Sequence, residues 1–254
     1  MILEEQDFQN LAKIIQETTS LVKLDLSETI IDDESAGIFS ASLSINCSIL
    51  SVDLSKNELS SSAGRKLLNS LHTNKTITCL DLSHNYLGDK GISRAEKALF
   101  SNTTLTSLNL ENNGITFIGF SHVVQVLTFN TNLKYLNFAN NLISDEGASM
   151  IAEIIILNDL CHLKSLNLKS NRIQLDGIKD LCMALERNES ITELQVSADF
   201  VPESLFKQLN SHLQQNKLIL KKKALMMWLR NQKGCVLSFV PKRLLIYLLE
   251  FVSK

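Results

Sequence analysis

A pattern of the form LxxLxLxxNx(L/I) recurs seven times, as LVKLDLSETII, ILSVDLSKNEL, ITCLDLSHNYL, LTSLNLENNGI, LKYLNFANNLI, LKSLNLKSNRI and ITELQVSADFV. The copies begin at Leu21, Ile49, Ile77, Leu105, Leu133, Leu163 and Ile191, so every interval is 28 residues except the fifth, which is 30. A fixed period of this length marks a solenoid, in which each unit completes its core only against its neighbours. Elongated arrays escape the size at which a single core divides, so the 254 residues need not form two globular domains.

Each unit reads as strand, turn and helix. The LxL core, for example Leu80 and Leu82, alternates as a short strand with one buried face. Nine positions on stands a small residue: Ser35, Ala63, Gly91, Gly119, Gly147 or Gly177. Apolar residues at helical spacing follow, such as Ala95, Ala98 and Leu99. Stacked units of this kind place a parallel sheet inside an arc and helices outside it, because a helix is wider than the ~4.8 Å spacing of strands. Right-handed crossovers are expected.

Two asparagine series keep the same period. Asn57, Asn85, Asn113, Asn141 and Asn171 follow the strand, where a buried amide can satisfy turn groups, and Thr29 and Asp199 replace them in the end units. Asn46, Asn74, Asn102, Asn130 and Asn188 precede the next strand. Four of these begin N-x-S/T triplets, but their fixed place in the repeat predicts a turn role rather than glycosylation.

The predicted organisation is an N-terminal capping helix in residues 1–20, seven repeats over 21–216 and a basic helical cap over 217–254. Phe8, Leu11, Ile14 and Ile15 give the first helix an apolar face. At the other end Pro202 suits the first turn of a helix through about Leu213, followed by helices over 218–231 and 241–252 separated by Gly234. Nine Lys or Arg against the lone acid Glu250 fall in 217–254, leaving sixteen against twenty-six Asp or Glu in 1–216. The acidic body is unsuited to nucleic acid.

Five cysteines without a CxxC pair suit a reducing compartment. The start MILEEQDFQN lacks the basic segment and apolar run of a secretion signal, and lysines or arginines interrupt the apolar stretches near the C-terminus, so no transmembrane segment is expected. A cytoplasmic location follows as the expectation.

Residues 21–214 resemble the ribonuclease-inhibitor-like, 28-residue class of leucine-rich repeats, and LDLSHNYLGDKG at residues 80–91 is close to that class's consensus. The resemblance implies an α/β solenoid, with a curved parallel sheet on the concave side and helices on the convex side. Proteins of the class include nuclease inhibitors, ligand-sensing regions of immune receptors, GTPase activators and effectors of intracellular bacteria. What they share is macromolecular binding, so the resemblance implies a protein-binding scaffold using its concave face, and a monomer is expected. The Ile-, Asn- and Lys-rich composition would suit an effector delivered into a host cell.

On that face the central exposed column runs Asp25, Asp53, Asp81, Asn109, Asn137, Asn167 and Gln195. Glu28 and Glu111 add negative charge, whereas Lys164, Lys169 and Arg172 make the later units locally basic. A partner with a basic patch is therefore expected on the early repeats, since stacked like charges one strand apart repel unless compensated. The competing reading is that LDLS is simply a common form of the consensus. Tyr135, His84 and Tyr86 are further candidates, as exposed aromatic groups often anchor interfaces.

Catalytic chemistry finds little support. His72, His84, His122, His162 and His212 fall at unrelated repeat positions, Cys79 with His84 is the nearest approach to a reactive pair, and no metal or cofactor is expected. A GTPase-activating role would draw on the loop positions Ile30, Glu58, Tyr86, Gly114, Leu142 and Arg172, of which one is an arginine. FVPKRLLIYLLEFV resembles the first helix of an F-box through Val240, Pro241, Leu244, Leu245, Leu248, Leu249, Phe251 and Val252, which would make the chain a ubiquitin-ligase substrate adaptor. LILKKKALMMWLR is a basic amphipathic stretch that could alternatively touch anionic lipid.

Overall fold

The computed structural model describes residues 5–93, 95–157, 162–197 and 201–231. Its seven three-residue strands are β1 (Lys23–Asp25), β2 (Ser51–Asp53), β3 (Cys79–Asp81), β4 (Ser107–Asn109), β5 (Tyr135–Asn137), β6 (Ser165–Asn167) and β7 (Glu193–Gln195). They form one sheet in chain order, and every neighbouring pair is parallel. The period fixes this register: Leu24, Val52, Leu80, Leu108, Leu136, Leu166 and Leu194 stack as a buried central row. Burying each contributes about 1.5–3 kcal/mol.

Helices return the chain on the opposite side: α1 (Glu5–Glu17), α2 (Asp33–Ile45), α3 (Ser61–Ser70), α4 (Gly88–Ile92), α5 (Ala95–Ser101), α6 (Phe117–Val126), α7 (Ser144–Leu157), α8 (Leu175–Arg187) and α9 (Glu203–Asn231). Their buried residues and the sheet row form one continuous apolar layer from Phe8 to Leu213. The small residue near each helix start is explained by close approach. A Cβ on Gly119 would lie 2.9 Å from the Cα of Asp89 in the preceding unit, and one on Gly147 would lie 2.2 Å from Cγ2 of Ile143.

The caps correct two expectations. In α1, Phe8, Ala12 and Ile15 are buried, with the Phe8 ring edge-on to Phe39 at 5.7 Å, but Ile14 is exposed. Its position lies off the i, i+4, i+7 stripe formed by Phe8, Ala12 and Ile15. At the other end, the helices expected up to Leu213 and over 218–231 are one uninterrupted α9. No Gly or Pro falls between residues 203 and 231 to break it, and the change in charge at residue 217 does not. Leu209, Leu213 and Asn216 anchor α9, whereas Lys221, Lys222 and Lys223 are exposed. The helix expected over 241–252 lies outside the described residues.

Candidate functional site

The sheet is held along both edges by buried amides. On the loop edge, Asn85 Nδ2 donates to the carbonyls of Leu54, Leu82 and Ser83, while its Oδ1 accepts from the Leu59 amide. Asn57, Asn113, Asn141 and Asn171 repeat this pattern, each reaching a carbonyl of the preceding unit. In the first unit the Thr29 hydroxyl donates to Leu26, the local bond that Asn would otherwise make.

On the opposite edge, Asn102 Nδ2 donates to the Leu71 and Asn74 carbonyls, and its Oδ1 accepts from the amides of Thr104 and Leu105. Asn74 and Asn130 make the corresponding bonds, and Asn46 reaches Ile15 of the capping helix. All of these side chains are buried, and their amide nitrogens are engaged in the turns. Asn216 continues the series inside α9, donating to Asn188 and Ile191 at 2.7 and 2.8 Å. The signal for it was present in the spacing, since it lies 28 residues after Asn188.

The central column, expected to be exposed, is exposed at Asp25 and Gln195 and half-buried from Asp53 to Asn167, and it has a different construction. Each residue from Asp25 to Asn167 accepts, through one side-chain oxygen, the backbone amide two positions on: Ser27, Ser55, Ser83, Glu111, Ala139 and Lys169 at 3.2, 3.0, 2.9, 3.1, 3.0 and 3.1 Å. This bond closes an Asx turn that leads the chain out of the strand. Asp and Asn are therefore favoured there for a local reason, which supports the consensus interpretation of LDLS. The turn also fixes orientation. Repeats 1–3 have a second carboxylate oxygen to present, and repeats 4–6 an amide nitrogen.

The acidic half is partly compensated, contrary to the expectation of an uncompensated run. Lys23 lies 3.5 Å from Asp25, and Lys56 reaches Glu28 at 2.6 Å. The Ser27 hydroxyl and amide hold the Asp25 carboxyl below its usual range, with Lys23 adding to the effect. Lys56 lowers Glu28 and is itself raised by it. These pairs are exposed and individually weak. Asp81 Oδ2 accepts from Asn109 Nδ2 at 2.8 Å, joining the two halves. Among the described residues Asp53 makes no hydrogen bond through its second oxygen.

A groove of about 300 Å³ begins at this junction and runs over the later strands, bringing together Asp81, Asn109, Tyr135, Asn137, Asn167 and Gln195. Tyr135 is 46% exposed within it. Glu111 stands at its loop side, accepting from Asn137 at 2.9 Å and Asn140 at 2.8 Å, with His84 Nε2 at 4.0 Å. The Asn112 side-chain nitrogen lies 3.0 Å from His84 Nδ1. Tyr86 is 72% exposed on the loop rim, and it, Glu28, Lys164 and Lys169 do not line the groove.

Among the described residues, no group of three His, Cys, Asp or Glu is placed to hold a metal ion. Cys182 is buried, and desolvation pushes its thiol up, whereas Cys79 is half-buried. Of the GTPase-activating loop positions, Arg172 is exposed at φ 59°. The F-box-like residues Val240–Val252 lie outside the described residues. No helix among the described residues is long and apolar enough to cross a membrane.

Sequence reading missed a set of carboxylates that cap the next unit's helix. Asp89 accepts from the Thr116 amide and hydroxyl at 2.8 and 2.7 Å and from the Gly119 amide at 3.1 Å. Asp33 does the same for Ser60, and Asp145 for Gln174 and Gly177. These three aspartates are spaced 56 residues apart, a two-unit period visible only once single units are compared in pairs.

Comparison with known proteins agrees with this architecture. Residues 73–94, 101–119, 129–152 and 159–182 match the family described as a leucine-rich repeat. No curated protein sequence matches. Among solved structures, actin-binding site 2 of leiomodin-1 is similar at 15% identity over 91% of this chain and 99% of that one, with a TM-score of 0.46. The tropomodulin C-terminal domain from Caenorhabditis elegans is 12% identical over 86% of this chain and 98% of that one, at 0.48. Neither likeness is close enough to carry an argument about partners. The repeat register, the ordered parallel sheet and the four family matches converge on one assignment: the chain is an α/β leucine-rich-repeat solenoid.

Proposed function

We propose that this chain is a non-enzymatic scaffold that recognises a protein partner on its concave face, acting as a cytoplasmic monomer. The 28-residue period supports placing it with the ribonuclease-inhibitor-like class. The observation that carries the functional reading is the groove across β3 to β7, where the exposed Tyr135 ring stands among polar groups held in place by Asx turns. A rigid aromatic side chain amid oriented polar groups is the arrangement expected of an interface anchor. The groove is long and polar rather than deep and apolar, which suits a polypeptide surface better than a small molecule.

Asp25, Asp53 and Asp81 would meet the basic part of that partner, with Glu28 contributing when Lys56 is drawn away. Asn109, Glu111, Asn137 and Asn167 would make the polar contacts beyond it, and Lys164 and Lys169 would border them. His84 and Tyr86 would touch the partner from the loop rim.

Affinity capture with the full chain and with a Tyr135→Ala, Asp53→Asn, Asp81→Asn variant tests this reading. The Asp→Asn changes retain the Asx-turn oxygen, as Asn109 and Asn137 do naturally, so they remove charge without removing the turn. The variant is expected to lose partners that the parent retains. An unchanged set of captured proteins would refute concave-face recognition and redirect attention to the exposed lysines of α9.

A further inference from the structure

The Asx turns divide the concave column by hydrogen-bonding sense. In each residue one oxygen is already taken by the backbone amide two positions on, so the remaining atom decides what can dock. Asp25, Asp53 and Asp81 are left with a second carboxylate oxygen, which Lys23 approaches at 3.5 Å in Asp25, Asn109 shares in Asp81 and no hydrogen bond among the described residues engages in Asp53. Asn109, Asn137 and Asn167 are left with an NH2 group, of which one N–H goes to Asp81 in Asn109 and one to Glu111 in Asn137, leaving the other to donate outward. Only this orientation of each Asn is allowed, because the opposite one would set its NH2 group against a backbone N–H.

The surroundings deepen the division. Lys164 and Lys169 are exposed on either side of Asn167, and among the described residues the Asn167 nitrogen has no acceptor. The one carboxylate on the strand segments of repeats 4–6, Glu111, is bonded by Asn137 and Asn140, which takes one N–H from Asn137 and leaves Asn167, between the two lysines, as the least engaged donor. At the junction Asp81 and Asn109 bond each other, displaying within the protein the pairing that each half offers outward.

Spacing selects the shape of the complement. Neighbouring positions in the column are about 4.8 Å apart, so three of them span about 9.6 Å. Helix side chains at i, i+3 and i+7 advance by about 4.5 and 10.5 Å along the axis and share one face. An extended segment presents same-face side chains every ~6.7 Å and leaves register by the third. From repeat 1 to repeat 6 the column runs about 24 Å, the length of a helix of about sixteen residues.

On the reading that the concave face is a docking surface, we propose that its partner is an amphipathic helix of about sixteen residues laid along the solenoid, with lysine or arginine against repeats 1–3 and carboxylates against repeats 4–6. Contacts of this kind are charge-assisted on both halves, which fixes the direction of the helix as well as its place.

The test uses the full chain and two fluorescent peptides, each about sixteen residues long, with identical composition. One carries a Glu block followed by a Lys block, the order that favours its own helix, and the other alternates the same residues. At low ionic strength, fluorescence anisotropy is expected to show the block peptide binding at least about ten-fold tighter than its isomer. Asp53→Asn turns an acceptor into a donor and Asn167→Asp does the reverse, with the Asx turn retained in each; either should weaken the block peptide about three-fold. A proline at the centre of the block peptide should abolish the preference.

Equal binding of the two isomers, indifference to both substitutions, or an unaffected proline peptide would each overturn the proposal. Loss of captured partners by the Tyr135 variant together with isomers that bind alike would leave concave recognition standing while removing this account of its partner. The opposite result, discriminating peptides with unchanged capture, would remove the recognition reading.

Discussion

Asn102 and Asn109 lie seven positions apart, one before β4 and the other at its end, yet the same side chain is put to opposite uses. Asn102 is buried and spends both its oxygen and its nitrogen on backbone groups of three consecutive units. Asn109 spends its oxygen on one local amide and has its nitrogen on the open face, where Asp81 accepts it. The difference explains their freedom to vary. A position that must both donate and accept admits Asn and little else, so each edge series keeps to it within the interior units. A position that needs only an acceptor admits Asp equally well, and the column can acquire a pattern of charge without disturbing the fold.

The largest expected break in this comparison is Asn102→Asp, which would point a carboxylate at the Leu71 and Asn74 carbonyls in the absence of any cation. A loss of about 3 kcal/mol or more is expected, measured by urea unfolding. A loss below 1 kcal/mol would mean that the edge amides do not unite the units. Removing an inter-unit helix cap should have a smaller effect: Asp89→Ala is expected to cost about 1–2 kcal/mol, as an N-cap does, with Asp89→Asn recovering part of it. The smallest effect belongs to the column. Asp53→Asn should change stability by less than about 0.5 kcal/mol, and a larger loss would show that its charge serves the fold rather than a partner.

The repeat register could be read directly from the sequence because apolar and amide positions recur at one spacing, and the ordered sheet follows from it. The Asx turns could not, since LDLS looks the same whether its aspartate is free or tied to the serine two places on. The compensation of Glu28 by Lys56 was within reach, because the two are one period apart, but hydrophobic patterning does not single out charged pairs. Ile14 reads as part of an apolar face, yet it lies about 100° round the helix from Ile15 and so off the buried Phe8, Ala12 and Ile15 stripe. In α9 the charge boundary suggested a break that the backbone has no reason to make.

The inter-unit caps give the array a parity. Asp33, Asp89 and Asp145 occupy odd units, whereas the equivalent places in even units are Ser61, Phe117 and Leu175. Excising a single unit, such as residues 77–104, would rejoin the amide series along both edges yet set two even units side by side, with Ser61 where the helix of Thr116 needs a carboxylate. Excising two adjacent units would restore every partnership. By this logic the chain can grow or shrink by duplication in steps of 56 residues more readily than in steps of 28.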